Sequence, residues 1–112
     1  MKDPLIFIEH IIENIENVET FSKDLTKEDL SKNKLKQYAI IRAIEIIGEA
    51  AKNLSTKFKE ENSGIPWREI AGARDRIIHH YFGADLDIIW EIIKRDIPEL
   101  KKKMVKIKGS SH

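Results

Sequence analysis

The residues best suited to chemistry lie together in one stretch, ARDRIIHHYFG, at positions 73–83. Polar and ionisable side chains surround two isoleucines there: Arg74, Asp75, His79, His80 and Tyr81. A core helix rarely has so many of these side chains, and a purely solvated face needs neither two histidines nor a tyrosine. The stretch is therefore the first candidate for a functional site.

These residue types suit the cleavage of a phosphodiester bond in RNA without a metal ion. RNA has its own nucleophile, the 2′-hydroxyl beside the scissile phosphate, so the protein has to supply a base and a cation. Histidine titrates near neutral pH and can serve as the base, and the forked guanidinium of Arg74 can stabilise charge that develops on the phosphate. Asp75 could fix a histidine tautomer or hold the arginine. The alternative is an exposed helix face with ordinary ion pairs and aromatic packing.

The spacing of these residues bears on how a helix could present them. At 100° per residue, Tyr81 lies within about 20° of Arg74, but His79 lies about 140° away. One straight helix would not aim Arg74 and His79 at the same atom. Either the helix loosens near His79, or two copies of the chain converge on one cleft in a two-fold dimer. We favour the dimer, because it uses both residues without strain.

The segments that must position this stretch have helical spacing, and none alternates apolar and polar residues over the length of a strand. Asp3 is the predicted N-cap of a helix from Pro4 to about Ser22. The spacing T-x-x-D at Thr26 predicts a capping box and the start of a second helical region, which ends near Asn53. This region is apolar on more than one side and is the predicted central helix.

Three further helices are predicted in the second half of the chain. Ser55 caps a short one, and Pro66 lies in the first turn of the next. That helix contains the candidate stretch and ends at Gly83, a residue that readily adopts the left-handed terminal conformation. Asp85 caps the last helix, which Pro98 is expected to kink or break. The predicted fold class is all-α, an antiparallel bundle of four to five helices.

Composition is typical of one soluble domain, with 41% hydrophobic and 35% charged residues among 112. We expect the domain to span residues 1–108, with residues 109–112 a cloning remnant or a disordered tail. The chain has no cysteine, which excludes disulfides and cysteine-ligated metals. The apolar run that ends before Glu9 is too short for a signal peptide or a membrane span, so we expect a cytoplasmic protein.

Charge is distributed unevenly although the formal net charge is only +1. Residues 1–30 have a net charge of −5, with eight acids and three bases, and residues 94–108 have +5, with seven bases and two acids. The basic segment could attract phosphates. It could equally pair with the acidic first helix or be solvated, so the charge pattern alone does not identify a nucleic-acid-binding protein.

The motif Arg74-x4-His79-x-Tyr81, with the polar Asp75 directly after the arginine, resembles the Arg-x4-His-x-Tyr motif of HepT-like toxins. These toxins belong to the HEPN superfamily of helical RNA-cleaving proteins. Other segments stand in the family's order: IIGEA on the central helix, IPW and IAGARD before the histidines, and DIIWEII and IPEL after them. The resemblance extends over residues 4–105.

This resemblance implies an HEPN-type bundle that forms a two-fold homodimer and acts as a metal-independent endoribonuclease toxin, on RNA such as tRNA or mRNA. Arg74 and His79 would be the catalytic pair, supported by Asp75, and no cofactor is expected. A minimal nucleotidyltransferase antitoxin would transfer AMP to Tyr81, and the attached phosphates would lie against Arg74 and block RNA. No metal site is predicted, because adjacent histidines point apart on a helix.

Two residues are secondary candidates. His80 is a second imidazole beside His79, although the motif spacing favours His79 as the base. Glu49, on the mostly buried central helix, could contact Arg42 or Arg74 as a supporting carboxylate, or it could line the bundle surface.

A second functional reading is a non-catalytic helical subunit that binds a minimal nucleotidyltransferase. The same bundle would serve both functions, so the fold cannot decide between them. The intact pair of Arg74 and His79 favours the ribonuclease, because a docking subunit does not need it. A purely structural helical dimer would leave the candidate stretch unexplained.

Overall fold

The structure is a computed structural model that describes residues 3–79 and 83–110, with residues 79, 83 and 110 described by their backbone only. The described chain is almost wholly helical, and its helices are α1 (Pro4–Ser22), α2 (Lys27–Lys32), α3 (Lys34–Asn53), α4 (Thr56–Glu61), α5 (Trp67–Ala71), α6 (Ala73–Ile77), α7 (Leu86–Glu91) and α8 (Ile97–Ser110). A π-helical turn, Ile92–Asp96, joins α7 to α8. Two-residue strands β1 (Ile78–His79) and β2 (Gly83–Ala84) pair in antiparallel fashion. The predicted all-α class is confirmed.

Four predicted N-caps are confirmed, because each side chain accepts a hydrogen bond from a backbone N–H in the first turn of its helix: Asp3, Thr26, Ser55 and Asp85. At Thr26 the capping box is complete. The Thr26 hydroxyl accepts from the Asp29 N–H and the Asp29 carboxylate accepts from the Thr26 N–H, both at 3.0 Å. The backbone hydrogen bond from Thr26 lowers the pKa of Asp29, because it stabilises the ionised carboxylate.

The core lies where α1 packs against α3 and against α8. Branched aliphatic side chains at three- and four-residue steps fill it, as the amphipathic spacing requires. On α1 the fully buried residues are Ile8, Ile11, Ile15 and Val18. The centre of α3 is buried on several sides, which confirms its prediction as the central helix.

The predicted second helical region is two helices rather than one. Asn33 ends α2, and its side chain accepts a hydrogen bond at 3.0 Å from the N–H of Lys36, in the first turn of α3. Leu35 and Tyr38, in the first two turns of α3, are 79% and 64% exposed.

The predicted break at Pro98 does not occur. The chain remains helical on both sides of this residue, and the π turn ends at Asp96, two residues before it. Proline lacks an N–H and its ring crowds the preceding helical turn. The wider π turn accommodates both effects without ending the helix.

The prediction of one helix through the candidate stretch to Gly83 is wrong. Helices α5 and α6 are separated at Gly72, and α6 ends at Ile77. The chain then becomes extended, Ile78 and Ala84 are paired in the ladder, and the N–H of Asp85 donates to the Ile77 carbonyl at 2.7 Å. Adjacent β-branched isoleucines favour this extended backbone. Helical angles therefore do not apply between residue 74 and residues 79 or 81.

Candidate active site

Helix α6 presents charged side chains to solvent because its other face is anchored in the core. Ala73 and Ile77, four residues apart, are buried, while the three residues between them are exposed. Residues at i and i+4 lie on one face of a helix, so burial of this pair turns Arg74 and Asp75 outwards. Arg74 and Asp75 therefore lie on an exposed face of α6, and the buried Ala73 and Ile77 hold that helix against the core.

The position of α6 depends on a close approach between α3 and the end of α5. A Cβ atom at Gly48 would lie 3.1 Å from the carbonyl oxygen of Ile70 and 3.2 Å from that of Ala71. Both distances are tighter than an ordinary contact, so glycine permits an approach that a larger residue would hinder. Arg74 follows Ala71 by three residues. The contact at Gly48 therefore also brings Arg74 against α3.

A carboxylate of α3 holds Arg74 at this crossing. Nε of Arg74 lies 2.5 Å from Oε2 of Glu45. The other oxygen of the same carboxylate, Oε1, accepts a hydrogen bond from Nη1 of Arg42 at 2.5 Å. This hydrogen bond raises the pKa of the Arg42 guanidinium above its ordinary value. Glu45 thus joins one arginine of α6 to one arginine of α3.

A cleft of about 200 Å³ opens beside this network, between α3 and α6. Two further carboxylates line the cleft, each farther from its arginine than Glu45 is. Glu49 Oε1 lies 3.7 Å from Nη1 of Arg42, and Asp75 Oδ1 lies 3.9 Å from Nη1 of Arg74, both beyond hydrogen-bond distance. Their side chains are 56% and 86% exposed, against 26% for the bridging carboxylate. Water therefore screens these two interactions more strongly.

The remaining motif residues follow α6 directly in the chain. The backbone of His79 lies in β1, two residues after the end of α6, and is paired with Gly83. The predictions for His80 and Tyr81 fall on residues outside the described ranges. Only four residues separate Arg74 from His79, and the helix ends at Ile77 within this short segment.

Glu45 is the candidate that sequence reasoning missed. Glu49 was the carboxylate expected at Arg42 or Arg74; it approaches Arg42, and Glu45 approaches both arginines. A signal for this was present, because Arg42, Glu45 and Glu49 are separated by three and four residues and so share one face of α3. The pattern identifies the face. It does not reveal which carboxylate α6 will reach.

A larger cleft of about 300 Å³ lies between α3, α6 and the helical segment from α7 to α8. Its floor is apolar and its rim is charged. Arg76 pairs with Asp96 at 3.5 Å and Arg95 pairs with Glu91 at 3.3 Å. Each of these arginines has its own carboxylate, whereas the two arginines at Glu45 share one.

The basic C-terminal segment pairs in part with the acidic first helix. Nζ of Lys101 on α8 lies 3.0 and 3.1 Å from the two carboxylate oxygens of Glu19 on α1. Among the residues that the structure describes, no three His, Asp or Glu side chains are grouped to hold a metal ion. In the same ranges, no helix is both long and apolar enough to cross a membrane.

Comparisons with known proteins match nearly the whole chain. The family model described as "Ribonuclease HepT-like" matches residues 11–107. The "Probable ribonuclease HepT" of Thermococcus cleftensis is 47% identical over 102 residues, which cover 91% of this chain and 93% of that protein. The "Putative RNase" of Caldanaerobacter subterraneus subsp. tengcongensis is 46% identical over 107 residues, which cover 96% of each chain.

A longer relative shares only its matching part with this chain. The "Gamma-glutamylcyclotransferase and putative RNase" of Methanocaldococcus jannaschii is 50% identical over 106 residues, which cover 95% of this chain and 48% of the relative. The chain thus spans about half the length of that protein. No solved structure matches the chain significantly. Because the family model covers most of the chain, and two relatives of similar length share nearly half of its residues, the chain belongs to the HepT-like ribonuclease family.

Proposed function

We propose that this protein is an endoribonuclease that cleaves RNA without a metal ion and acts in the cytoplasm as the toxin of a toxin–antitoxin pair. One observation carries the proposal: the ion pair with Glu45 holds the half-exposed guanidinium of Arg74 at a cleft, five residues before His79. Membership of the HepT-like ribonuclease family supports the same activity, as do relatives whose names describe ribonucleases.

The proposed reaction needs only a base and a fixed cation from the protein. His79 accepts the proton of the 2′-hydroxyl, and the 2′-oxygen attacks the adjacent phosphorus. The bond from phosphorus to the 5′-oxygen breaks, and the leaving oxygen takes a proton from the imidazolium or from water. Arg74 stabilises the negative charge of the pentavalent phosphorane. Asp75 supports the pair, and the products are a 2′,3′-cyclic phosphate and a 5′-hydroxyl.

The active form in this proposal is a two-fold homodimer. The helix ends at Ile77, so helical angles no longer require two chains to bring Arg74 and His79 together. Exposed apolar side chains support the dimer instead. Ile6 on α1 is 44% exposed and Val105 on α8 is 51% exposed. We expect the interface to include the helix that carries Arg74 and the first or last helix.

The proposed partner is a minimal nucleotidyltransferase that neutralises the toxin by transferring AMP to Tyr81. The transfer forms a bond between the phenol oxygen and the α-phosphorus of ATP and releases pyrophosphate. An attached phosphate near Arg74 and His79 would compete with RNA for the same cation and would fill the groove. A phenol has a pKa of about 10 and is a poor base at neutral pH, so we assign Tyr81 to modification and not to catalysis.

Cleavage of a labelled RNA by the purified protein tests the activity. We expect cleavage to continue in excess chelator and to leave cyclic phosphate ends, identified by mass spectrometry. Arg74→Ala and His79→Ala should each lower the rate by about 10²-fold or more, and His80→Ala by less. Lys32→Ala, which removes an exposed cation of α2, serves as the control.

Three outcomes would contradict this account. Loss of cleavage in chelator would exclude the metal-independent mechanism. An inactive His80→Ala beside an active His79→Ala would reverse the assignment of the base. A protein that binds the transferase but never cleaves RNA would instead be the non-catalytic subunit.

Co-expression with a nucleotidyltransferase encoded beside the protein tests the role of Tyr81. Tyr81→Phe should keep much of the ribonuclease activity but escape neutralisation, so that cells stop growing and the intact mass of the protein shows no added AMP. If Tyr81→Phe is still neutralised and still gains the mass of a nucleotide, the modified residue lies elsewhere.

A further inference from the structure

We infer that Glu45 is a positioning residue for Arg74, and that Arg42 is a second phosphate-binding cation joined to Arg74 through Glu45. The inference rests on the proposed ribonuclease function and deepens it. Arg74 would contact the scissile phosphate of a single-stranded RNA, and Arg42 would contact a neighbouring phosphate of the same strand.

One carboxylate, that of Glu45, is shared by two arginines. Oε1 of Glu45 meets Arg42 and Oε2 meets Arg74, each at 2.5 Å. Two guanidinium groups this close would repel each other without a negative charge between them. Glu45 supplies that charge from the least exposed carboxylate of the cluster, at 26% exposure. The two arginines are therefore held together as one unit.

Arg74 keeps hydrogen-bond donors for a phosphate while it is paired with Glu45. Arginine has five N–H donors, and Nε of Arg74 faces Glu45. The four N–H groups of its two terminal nitrogens form the fork that matches two phosphate oxygens. The ion pair with Glu45 uses Nε, so the N–H groups on the far edge of the guanidinium remain for a phosphate; Asp75, 3.9 Å from Nη1, is beyond hydrogen-bond distance. The side chain is 48% exposed, so a phosphate from solvent can reach it.

Arg42 is also accessible to a phosphate from solvent. It is 59% exposed and lies on the same face of α3 as Glu45, one helical turn earlier. Its other carboxylate, Glu49, is 3.7 Å away and more than half exposed. A phosphate that forms direct hydrogen bonds can displace so loose a contact. Arg42 and Arg74 therefore offer two anion sites from two different helices.

A repeating phosphate backbone is the ligand class that fits two adjacent cations. Lys52 lines the cleft that Arg74 and Glu45 also line, and it adds a third positive charge beside the pair. Single nucleotides would need only one of these cations, but an RNA strand presents a phosphate at every residue. A single-stranded RNA segment is therefore the expected ligand of the pair.

The role of Glu45 predicts a separation of two kinetic constants. Glu45→Gln has nearly the same shape but no charge, so it cannot hold both arginines. We expect kcat to fall by about 10- to 100-fold, because the arginine that stabilises the transition state is no longer fixed. KM should stay unchanged or fall, because the site loses a negative charge. Glu28→Gln, which removes one carboxylate of an exposed ion pair on α2, is the matched control and should change neither constant.

The role of Arg42 predicts a change in salt dependence. Binding of a 2′-O-methyl RNA, which has no nucleophile and cannot be cleaved, is measured by fluorescence anisotropy over a range of salt concentrations. Each phosphate contact on a single strand contributes about −0.7 to the slope of log K against log salt. Arg42→Ala should make the slope less steep by about 0.7, and the control Lys32→Ala should leave it unchanged.

The results separate this inference from the proposed function. If the unaltered protein does not cleave RNA, the proposed function fails. If it cleaves RNA and Glu45→Gln keeps its kcat, the positioning role is wrong; an unchanged slope for Arg42→Ala overturns the second phosphate site. Should Glu45→Gln fail to fold, Glu45→Asp gives the test, because its carboxylate is withdrawn by one methylene group from Arg74 and should also lower kcat.

Discussion

The contact at Gly48 leads to a prediction that separates stability from activity. Gly48→Ala adds one methyl group that faces backbone atoms, the carbonyl oxygens of Ile70 and Ala71, at 3.1 and 3.2 Å. A flexible side chain could rotate away from it, but a backbone carbonyl cannot. The end of α5 must therefore move by a few tenths of an ångström, and α6 with Arg74 moves with it.

Two effects on stability oppose each other. Alanine is favoured over glycine inside a helix by about 1 kcal/mol. Overpacking costs about 1–3 kcal/mol, and the small displacement here places the cost at the lower end of that range. The free energy of unfolding should therefore change by less than about 1 kcal/mol. No second effect offsets the loss of catalytic activity that follows when Arg74 moves. A misplacement of 1 Å can cost about 10²-fold in rate, so a few tenths of an ångström corresponds to about a three- to tenfold loss.

Urea unfolding followed by circular dichroism and the initial rate of RNA cleavage are the two measurements. Gly109→Ala is the matched control, because Gly109 is also helical but an added Cβ would meet nothing within 4 Å. It should gain a little stability and keep full activity. Gly48→Val, with two more carbon atoms at the same place, should lose both stability and activity. If Gly48→Ala is stabilised by about 1 kcal/mol and fully active, then the crossing is loosely packed and the reasoning fails.

Three further predictions follow from the fold. Asp29→Asn should lower the urea midpoint at neutral pH. The pKa of Asp29 in the folded protein lies below its ordinary value of 3.8, so the ionised carboxylate stabilises the fold above pH 3.8. The difference in urea midpoint between the variant and the unaltered protein should vanish as the pH falls through the folded pKa. Ile77→Ala, at a fully buried site, should cost about 2–5 kcal/mol in urea unfolding and also reduce activity, because Ile77 anchors α6; an effect below about 1 kcal/mol would contradict this. Light scattering should give the mass of a dimer at micromolar concentration, and Ile6→Lys with Val105→Lys should shift it towards the monomer; a monomer mass for the unaltered protein would contradict the dimer.

Local signals in the sequence predicted the starts of the helices well. Asp3, Thr26, Ser55 and Asp85 each act within one turn of their own position, so a short segment contains all the information that the cap needs. The core faces of the long helices could be predicted equally well, because apolar residues recur in the sequence with the 3.6-residue period of a helix. The all-α class follows from these two kinds of signal.

The residue at which α6 ends could not be predicted from local sequence signals. Gly83 was the predicted stop, and the helix was predicted to continue through Gly72 to it. The helix ends six residues earlier, where the chain turns back and Ile78 pairs with Ala84. The two isoleucines permit an extended backbone but do not require it. Pairing with the later strand decides the outcome, and the local sequence does not reveal that pairing.

The partner of Arg74 depends on tertiary packing for the same reason. Arg42, Glu45 and Glu49 mark one charged face of α3, and either carboxylate could have met an arginine from another helix. Gly48 lies between the two carboxylates, and the end of α5 rests on it. With the crossing fixed at that height, Arg74 comes to lie at Glu45, at 2.5 Å, and Glu49 remains with Arg42 at 3.7 Å. The backbone contact at Gly48 sets the height of the crossing, and the charges on that face of α3 then place the two arginines at one carboxylate.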